Sequence, residues 1–368
     1  MNFQLTEEQR AIAELAVSVF ADFCTDGKIQ QFWASDAACD ADLWRQLHEG
    51  GLTALILPEE LGGSALGMIE LSAVLESQGR HLAPVPLWSH QLALAAVARF
   101  AGDASRGLNG SALADSTQLA TLSLEGMHGG RGLQLHADAA AEGWRLRGRA
   151  VAVPLAAQSA LAVLPAATAQ GVRLFAIDLA QPGIGKITGR LTHHEPAADL
   201  LFAGLSLPAG AALAPEALSW VAPRVAACFG ALQLGVVEEA LKRVVAYTSE
   251  RVQFGQPIAA FQAISQKCAD CLIDVEALRS SLWQLVWRLD SGLAAEGSAG
   301  VVRAWTCDAG HRVTHAAQHM HGGIGVDVSY PIHRYTYWSR AIEIACGGVS
   351  ASLEGLGRWL ATAALEDA

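Results

Sequence analysis

The segment RVQFGQPIAAFQ, residues 251–262, combines a charged side chain with the signals of a tight turn. A long helical pattern ends near Arg251, Gly255 and Pro257 favour a turn, and a new helix begins near Phe261. An arginine at such a junction can bind a pyrophosphate, because its guanidinium is planar, permanently charged and offers paired donors. The alternative is an arginine that only interacts with the dipole at the end of its helix, beside an aromatic ring that fills the turn.

A second segment, HMHGGIG at residues 319–325, places consecutive glycines after a helical pattern. Glycines lack a side chain, so backbone amides there can approach a phosphate or a flat ring closely. The same pattern is typical of an ordinary helix C-cap. Taken alone, the segment therefore does not distinguish a binding turn from a helix end.

Three regions of different periodicity must position these segments. The chain is helical in pattern to about residue 102, and Thr6 and Gln9 predict a capping box at the start of the first helix. Short apolar runs between glycines and prolines then predict strands at 119–124, 132–136, 144–149, 160–164, 172–179 and 200–207. Long patterns rich in Ala, Leu and Val predict four helices at 216–251, 262–290, 298–319 and 330–364. Periodicity alone therefore indicates a multi-domain α+β protein, mainly α.

Composition excludes several classes of partner. The 368 residues include 25 Lys and Arg against 36 Asp and Glu, a net charge of −11 that argues against nucleic-acid binding. No apolar run follows a basic start, and the longest uncharged stretch, residues 150–172, contains Pro154 and Pro165, so neither a signal peptide nor a membrane helix is predicted. Seven scattered cysteines do not form a disulfide framework. We expect a cytoplasmic protein with reduced thiols.

The two segments together resemble the carboxy-terminal part of acyl-CoA dehydrogenases: RVQFGQPIAAFQ is followed by HMHGGIG and then by YPIHRY. The stretch LWRQLHEGGLTALILPEELGGSALGMIELSAVLESQGRHLAPVP resembles that family's helical domain, and GWRLRGRAVAVPLAAQSALAVLPA its β-domain. The resemblance spans nearly the whole chain. It implies an N-terminal helical domain (1–117), a central β-barrel-like domain (118–212) and a C-terminal four-helix bundle (213–368) with the flavin and oligomer interface. It also implies FAD as the cofactor.

In that family, the matching segments bind the FAD of a neighbouring subunit. The resemblance implies that Arg251 and Gln253 meet the pyrophosphate region, and that Phe261 and Gln262 lie at the adenosine side. One departure is His319, where the family usually has Gln; an imidazole can still donate one hydrogen bond. The cofactor-binding residues implied are Arg251, Gln253, Phe254, Phe261, Gln262, His319, Met320, His321, Gly322 and Gly323.

The family's catalytic base is missing from this sequence. The reaction removes an α-proton with a positioned carboxylate, usually a Glu whose pKa is raised in a dry site. The resemblance places Gly347 and Val225 at the two positions where family members carry that Glu. No catalytic residue is therefore predicted, and we expect Glu238, Glu239 and Glu343 to lie on solvated helix faces.

The residues that would contact the chain's own flavin also depart from the family. Its Thr-Glu…Gly-Ser-Asp loop is replaced by SLEGMHGG at 123–130, and its Trp-containing strand by VAV at 151–153. Contacts to a neighbour's flavin look retained, whereas contacts to the chain's own flavin look lost. That asymmetry resembles the smaller, base-lacking subunits of heteromeric acyl-CoA dehydrogenases that degrade steroid side chains or dicarboxylates.

The resulting hypothesis is a subunit of an FAD-dependent enzyme that dehydrogenates CoA thioesters. Its partner would be a second acyl-CoA dehydrogenase subunit carrying the catalytic Glu, in an α₂β₂ assembly. One alternative is a homo-oligomer that uses another acid, such as Glu343. An alternative of a different class is a flavin-free scaffold that has kept only the fold. Flavin absorbance of the purified protein distinguishes the three.

Two further clusters have simpler interpretations. Cys268 and Cys271 form a lone CxxC without the second pair that a zinc site requires, so packing is expected. His311, His315 and His319 share one helix face, with Asp308 as the only local carboxylate. An interface or a substrate-side face is expected for them, and no metal is predicted.

Overall fold

A computed structural model describes residues 4–102, 118–128 and 132–362. The chain divides into two compact units. The helical unit takes its described residues from 1–31, 72–83 and 226–368, and the sheet unit from 32–71 and 84–225. Ten α-helices lie in the described ranges: α1 Glu7–Phe23, α2 Asp26–Trp33, α3 Ala41–Glu49, α4 Met68–His81, α5 Leu87–Phe100, α6 Ala217–Glu250, α7 Gln262–Asp290, α8 Glu296–His321, α9 Ile332–Ala345 and α10 Gly348–Thr362.

In its described part, the sheet unit contains seven strands in one mixed sheet. They are β1 Leu119–Leu122, β2 Leu135–Ala140, β3 Gly143–Pro154, β4 Ser159–Thr168, β5 Gly171–Asp178, β6 Ile184–Arg190 and β7 Pro196–Leu207. The order is β1-β4-β2-β3-β7-β6, with β5 paired to β4. Strand β1 runs parallel to β4, and the long β3–β7 and β4–β5 pairs are antiparallel. Leu146, Phe175 and Leu200 lie in the buried core of this sheet.

Two strand predictions need correction. The predicted strand 132–136 is displaced, since β2 begins at Leu135 and continues to Ala140. Strand β6 was not predicted, because its side chains from Gly185 to Arg190 are exposed and give no buried apolar alternation. It forms instead by antiparallel pairing with β7, along the register Ile184↔Phe202 to Arg190↔Pro196.

The helical unit begins as predicted and differs at its end. Thr6 and Gln9 form the predicted capping box at α1. The predicted helix 330–364 is wrong: it is two helices, α9 and α10, separated at Cys346 and Gly347. The break follows from the backbone, because Gly347 (φ 85°) and Gly348 (φ 83°) are both left-handed and cannot continue a helix. Helix α8 is central and contacts α7, α9 and α10.

Helices α4 and α6 cross at backbone contact distance within the helical unit. A Cβ atom added at Gly79 would lie 2.0 Å from the carbonyl oxygen of Leu232, and one at Gly235 would lie 1.9 Å from that of Glu76. Since carbon and oxygen atoms cannot approach so closely, only glycine fits at either position. The crossing therefore depends on two glycines, one from each helix.

Ion pairs surround this crossing. Arg279 donates to Glu238 at 2.8 Å, and Arg80 bonds both Glu238 and Glu76, the latter at 2.9 Å. Burial raises the pKa of Glu76, whereas hydrogen bonds and charges from Arg80 and Arg279 outweigh burial at Glu238 and lower its pKa. The expectation that Glu238 and Glu239 are simply solvated is wrong, because Glu239 also pairs with Lys242 and Arg243.

One described helix, α6, is long and apolar enough to cross a membrane by length and composition. Of its most apolar window, 78% is buried inside the protein. This burial is typical of a core helix in a globular protein, which passes the same test.

The α4–α6 crossing gives a prediction about stability. Gly235→Ala should destabilise the protein by about 3 kcal/mol, because the added methyl group must push two backbones apart. A urea unfolding series measures the change. Gly357→Ala is the matched control, since nothing lies within 4 Å of its added Cβ. Alanine there should stabilise helix α10 by about 0.5–1 kcal/mol. A Gly235→Ala variant as stable as the parent would contradict the close crossing.

Candidate functional site

Arg251 lies directly before a two-stranded hairpin. Helix α6 ends at Glu250, and the short strands β8 Val252–Gln253 and β9 Gln256–Pro257 pair antiparallel. The turn residues Phe254 (φ 53°) and Gly255 (φ 83°) are both left-handed, as two-residue hairpin turns require. The Ile258 N–H donates to the Arg251 carbonyl at 2.8 Å and closes the base of the hairpin. The predicted turn is thus a rigid, hydrogen-bonded element.

The side chains of this hairpin are directed away from the chain's own core. Phe254 is 91% exposed. The exposed Arg251 guanidinium has no hydrogen bond or ion pair with any described residue, including the last carbonyls of α6. Gln253 donates only to the neighbouring Val252 carbonyl, at 2.8 Å. The helix-capping alternative for Arg251 therefore has no contact that supports it, and its paired donors are available to an anion.

The glycine turn follows the end of α8. Gly322 is left-handed (φ 61°) and ends the helix, and residues Gly322–Val326 form one 3₁₀ segment. A Cβ atom added at Gly322 or Gly323 would meet nothing within 4 Å. Gly325 differs, because a Cβ atom there would lie 2.4 Å from the Gln318 carbonyl oxygen. Gly325 is thus required by this chain's own packing, whereas Gly322 and Gly323 leave their backbone open to a group from outside.

A stack of three rings joins the glycine turn to the end of α6. Tyr247 stacks on His321 with centroids 4.5 Å apart, and Tyr330 packs against His321 at 5.3 Å. Tyr247 lies one helical turn before Arg251, and His321 directly precedes Gly322. The two segments predicted to bind one cofactor are therefore at one end of the helical unit. Tyr247 and Tyr330 were not predicted as site residues from the sequence; the spacing of four between Tyr247 and Arg251 was the available signal.

The remaining predicted site residues lie at the start of α7 and the end of α8. Phe261 packs edge-on against Phe254 at 6.0 Å, and Gln262 is the first residue of α7. Met320 is buried with its Sδ 3.8 Å from the Cys268 Sγ, so only its backbone is available to a ligand. The same contact shows that Cys268 serves packing between α7 and α8.

His319 lines a groove between α7 and α8. The cavity has a volume of about 530 Å³ and is lined by Lys267, Asp270, Cys271, Ile273, Asp274, His311, Arg312, His315, Ala316 and His319. Arg312 bonds Asp274 at 3.0 Å and Asp308 at 2.8 Å, and the rings of His311 and His315 stack at 5.5 Å. Within the described ranges, no three His, Cys, Asp or Glu residues are arranged to hold a metal ion. The histidine face therefore lines an open surface groove.

Neither expected base position carries a proton acceptor. Gly347 forms the turn between α9 and α10, and Val225 is buried in α6. The neighbouring Arg224 lies with its guanidinium 4.0 Å from the Trp220 ring centroid. Next to Gly347, the hydrogen bond with Cys307 and burial raise the pKa of the Cys346 thiol well above its usual value, so it stays protonated at neutral pH.

Glu343 is not the solvated residue that was expected. Its side chain is only 17% exposed and pairs with the Arg340 guanidinium. Its carboxylate also lies 3.8 Å from the His311 Nδ1. A carboxylate engaged in this way is poorly placed to collect a substrate proton, since geometry comes before pKa in identifying a base.

In the sheet unit, the segments that depart from the family bind their own chain. Ala152 is left-handed (φ 49°) at a bulge of β3 and donates its N–H to the Asp199 carboxylate at 2.8 Å. The Pro154 carbonyl accepts from the Thr121 hydroxyl at 2.6 Å. In the departing loop, the Glu125 N–H bonds the Ser123 hydroxyl at 3.1 Å, while Gly129 and Gly130 lie outside the described residues. The Ala152 N–H and the Glu125 N–H are thus both bonded within this chain.

Comparison with known proteins identifies the family. Residues 6–107 match the model of the acyl-CoA dehydrogenase N-terminal domain, and residues 210–360 that of the C-terminal domain. The acyl-CoA dehydrogenase FadE27 of Mycobacterium tuberculosis is 32% identical over 98% of this chain and 99% of its own length. The Tcur3481–Tcur3483 steroid acyl-CoA dehydrogenase is 37% identical, with a TM-score of 0.90 over 96% of this chain and 98% of that chain.

A third relative has the same overall fold. The ChsE4–ChsE5 complex from Mycobacterium tuberculosis is 30% identical, with a TM-score of 0.92 over 99% of this chain and 100% of that chain. The expected fold is confirmed by these matches over nearly the whole length. The chain belongs to the acyl-CoA dehydrogenase family, whose members are FAD-dependent oxidoreductases acting on CH–CH bonds.

Proposed function

We propose that this chain is a non-catalytic subunit of a heteromeric acyl-CoA dehydrogenase, and that it completes the FAD site of a catalytic partner subunit. The observation that carries the proposal is the Arg251 hairpin: an exposed guanidinium without a partner in the described chain, beside an open glycine turn. Gly347 and Val225 at the two base positions support the non-catalytic part. The two-component Tcur3481–Tcur3483 and ChsE4–ChsE5 relatives support the heteromeric part.

The residues present fit the pyrophosphate and adenosine end of FAD. Arg251 would donate paired hydrogen bonds to pyrophosphate oxygens, with Gln253 as a further donor on the same hairpin. Backbone amides at Gly322 and Gly323 would approach the cofactor, because no side chain covers them. Phe254, Phe261 and Gln262 would border the adenosine, and His319 would replace the family's Gln as a donor. Met320 and His321 would contribute backbone only.

These contacts imply different roles for the two subunits in the reaction. FAD, when bound, supplies the acceptor for the substrate's β-hydrogen as hydride. This chain's residues hold and orient the end of the cofactor that takes no part in that transfer. The α-proton goes to the partner's Glu, since this chain has no carboxylate at Gly347 or Val225. Binding energy from a remote part of the cofactor fixes the position of its reactive ring.

The substrate class and assembly complete the proposal. The Tcur3481–Tcur3483 relative is a steroid acyl-CoA dehydrogenase, which favours a CoA thioester with a steroid-derived acyl group over a dicarboxylate. We place the working assembly in the cytoplasm as an α₂β₂ heterotetramer with one FAD per heterodimer. Closed, symmetric assemblies are the usual solution for soluble oligomers. A cofactor bound by two chains makes their interface obligate.

Two rival functions predict different properties. A homo-oligomer using Glu343 would be yellow and active alone, but the ion pair to Arg340 engages that carboxylate. A flavin-free scaffold would be colourless with or without a partner subunit, and it has no need of the unpaired Arg251.

The first test concerns activity and colour. The purified chain alone should be colourless and show no acyl-CoA dehydrogenase turnover with an artificial electron acceptor, whereas the complex should be yellow and active. Measuring visible absorbance and turnover on a panel of acyl-CoA esters checks both. Robust turnover by the lone chain would reject the non-catalytic role.

The second test concerns stoichiometry. Native mass spectrometry of the co-purified complex should show two copies of each chain. Flavin quantitation on the same sample should give two FAD per tetramer. Four FAD per tetramer would show that the flavin pocket of this chain is functional, contrary to the proposal.

The third test removes the arginine. Arg251→Ala in the complex should lower FAD affinity tenfold to hundredfold, because a charge-assisted contact is worth about 1.5–3 kcal/mol. Arg251→Lys should restore only part of it, since a point charge cannot form the paired contact. The matched control is Arg358→Ala, an exposed arginine on α10 whose one ion pair among the described residues is with Glu354 at 3.5 Å. An assembled Arg251→Ala complex with unchanged FAD affinity would refute the in-trans contact.

A further inference from the structure

The His321 side chain is a buried titratable group that the proposed function does not use. It is 3% exposed. Its Nδ1 lies 2.7 Å from the Ala317 carbonyl oxygen, and a carbonyl only accepts, so Nδ1 carries the proton and donates it. In the neutral ring, Nε2 is then an acceptor, and it is buried without a hydrogen-bond partner among the described residues. The ring is stable in this environment only while it is neutral. Protonation would create a buried charge, and its new Nε2–H would have no acceptor facing it.

The ring holds the two predicted flavin-binding segments together. It stacks on Tyr247 of α6 with an interplanar angle of 21° and is tilted by 51° against Tyr330. The Tyr247 hydroxyl also donates to the His321 carbonyl at 3.5 Å. Displacing this one ring would therefore separate the end of α6, with its Arg251 hairpin, from the end of α8 with its glycine turn.

We propose that His321 is a positioning residue: its neutral ring holds Arg251 and the glycine turn in one arrangement, and its protonation releases them. The inference rests on the proposed function, because the two segments matter only if they bind one cofactor. FAD retention by the complex should then fall under mildly acidic conditions. We expect the contact between the ends of α6 and α8 to be lost, while the rest of the helical unit stays folded.

Of the groups around His321, the Ala317 carbonyl favours a positive charge on the ring, and burial and Arg243 together outweigh it. Burial first, and then the Arg243 charge from α6, lower the pKa of His321 below its ordinary value. Burial raises the pKa of Tyr330, so that hydroxyl stays neutral and offers no counter-charge. From α9, His333 donates to the Tyr330 carbonyl at 2.7 Å, and burial lowers the pKa of His333 too. From α7, the nearby Cys268 thiol is neutral, since burial raises its pKa.

The direction of the pH effect follows from the lowered pKa of His321. The released ring, with an ordinary pKa near 6.5, binds a proton more tightly than the stacked ring does. The contact between the ends of α6 and α8 is therefore strongest at a pH above the ordinary histidine pKa. It weakens as the pH falls toward the lowered pKa of His321. Within that pH range, each fall of one pH unit lowers the equilibrium constant for holding the two helix ends together by about tenfold.

The test is amide hydrogen exchange on the lone chain at about pH 7.5 and about pH 5.5, corrected for intrinsic rates. Exchange in the last turns of α6 and α8 should accelerate on the order of tenfold at the lower pH. His321→Phe keeps a stacking ring without the titratable nitrogen, so exchange there should be slow at both pH values. His321→Ala removes the stack and should exchange fast at both.

The matched control is His81→Phe. His81 lies on α4, bonds a backbone carbonyl through Nδ1 at 2.9 Å, stacks on Phe20, and also has a pKa lowered by burial. Replacing it should leave the pH dependence at the ends of α6 and α8 unchanged. Exchange that does not change with pH in the parent, or that still changes in His321→Phe, would overturn the inference.

A second readout separates this inference from the proposed function. The parent complex should lose FAD faster at about pH 5.5 than at about pH 7.5, and the His321→Phe complex should retain it equally at both. If Arg251→Ala leaves FAD retention unchanged, the proposed function fails regardless of the exchange result. If Arg251→Ala releases FAD but the His321→Phe complex still loses it at low pH, the His321 inference alone fails.

Discussion

The stacking of Tyr247 on His321 is the interaction on which the candidate site depends. The Arg251 hairpin and the glycine turn are far apart in the sequence, and both are exposed, so neither is held by a core of its own. A ring contact at 4.5 Å fixes the two helix ends that carry them. Pairs of rings in this geometry contribute about 0.5–1.5 kcal/mol beyond the burial of their surface. That is a modest energy, which makes the site responsive to small changes at one ring.

Charge pairing shows why Arg251 stands apart from other arginines of the helical unit. Arg80 and Arg279 are shared between Glu76 and Glu238, and Arg243 bonds Asp26 at 2.8 Å. Those guanidiniums hold helices together, and their charge is paired with carboxylates of the same unit. Arg251 is fixed only through its backbone, by hydrogen bonds to Tyr247 and from Ile258. The backbone of Arg251 is thus ordered before a ligand arrives, and only its side chain remains to be immobilised on binding, at a cost of about 0.5–1.5 kcal/mol.

The sequence predicted much of this fold and part of the site. Helix α7 runs from Gln262 to Asp290 as its periodicity indicated, and the turn at 254–257 was predicted from Gly255 and Pro257. These features are local, so neighbouring residues determine them. The ion pairs of Glu238 and the Tyr247–His321 stack were missed because each joins residues distant in the sequence. Strand β6 was missed because its exposed side chains give no apolar alternation. For the break between α9 and α10, the consecutive glycines Gly347 and Gly348 were the available local signal, because glycine is a poor helix former.

The backbone at Gly347, one of the two positions predicted for the family's base, constrains how a carboxylate could be accommodated there. Both Gly347 (φ 85°) and Gly348 (φ 83°) adopt a conformation that residues with a Cβ atom rarely take. A Glu at 347 would therefore cost about 1 kcal/mol or more in backbone strain before it could meet a substrate. It would also lie next to the buried Cys346 thiol, whose pKa is raised by the hydrogen bond with Cys307 and by burial. The turn between α9 and α10 is thus adapted to two glycines in sequence. A Gly347→Glu side chain would therefore have to accept a left-handed backbone before it could reach the geometry that a positioned base requires.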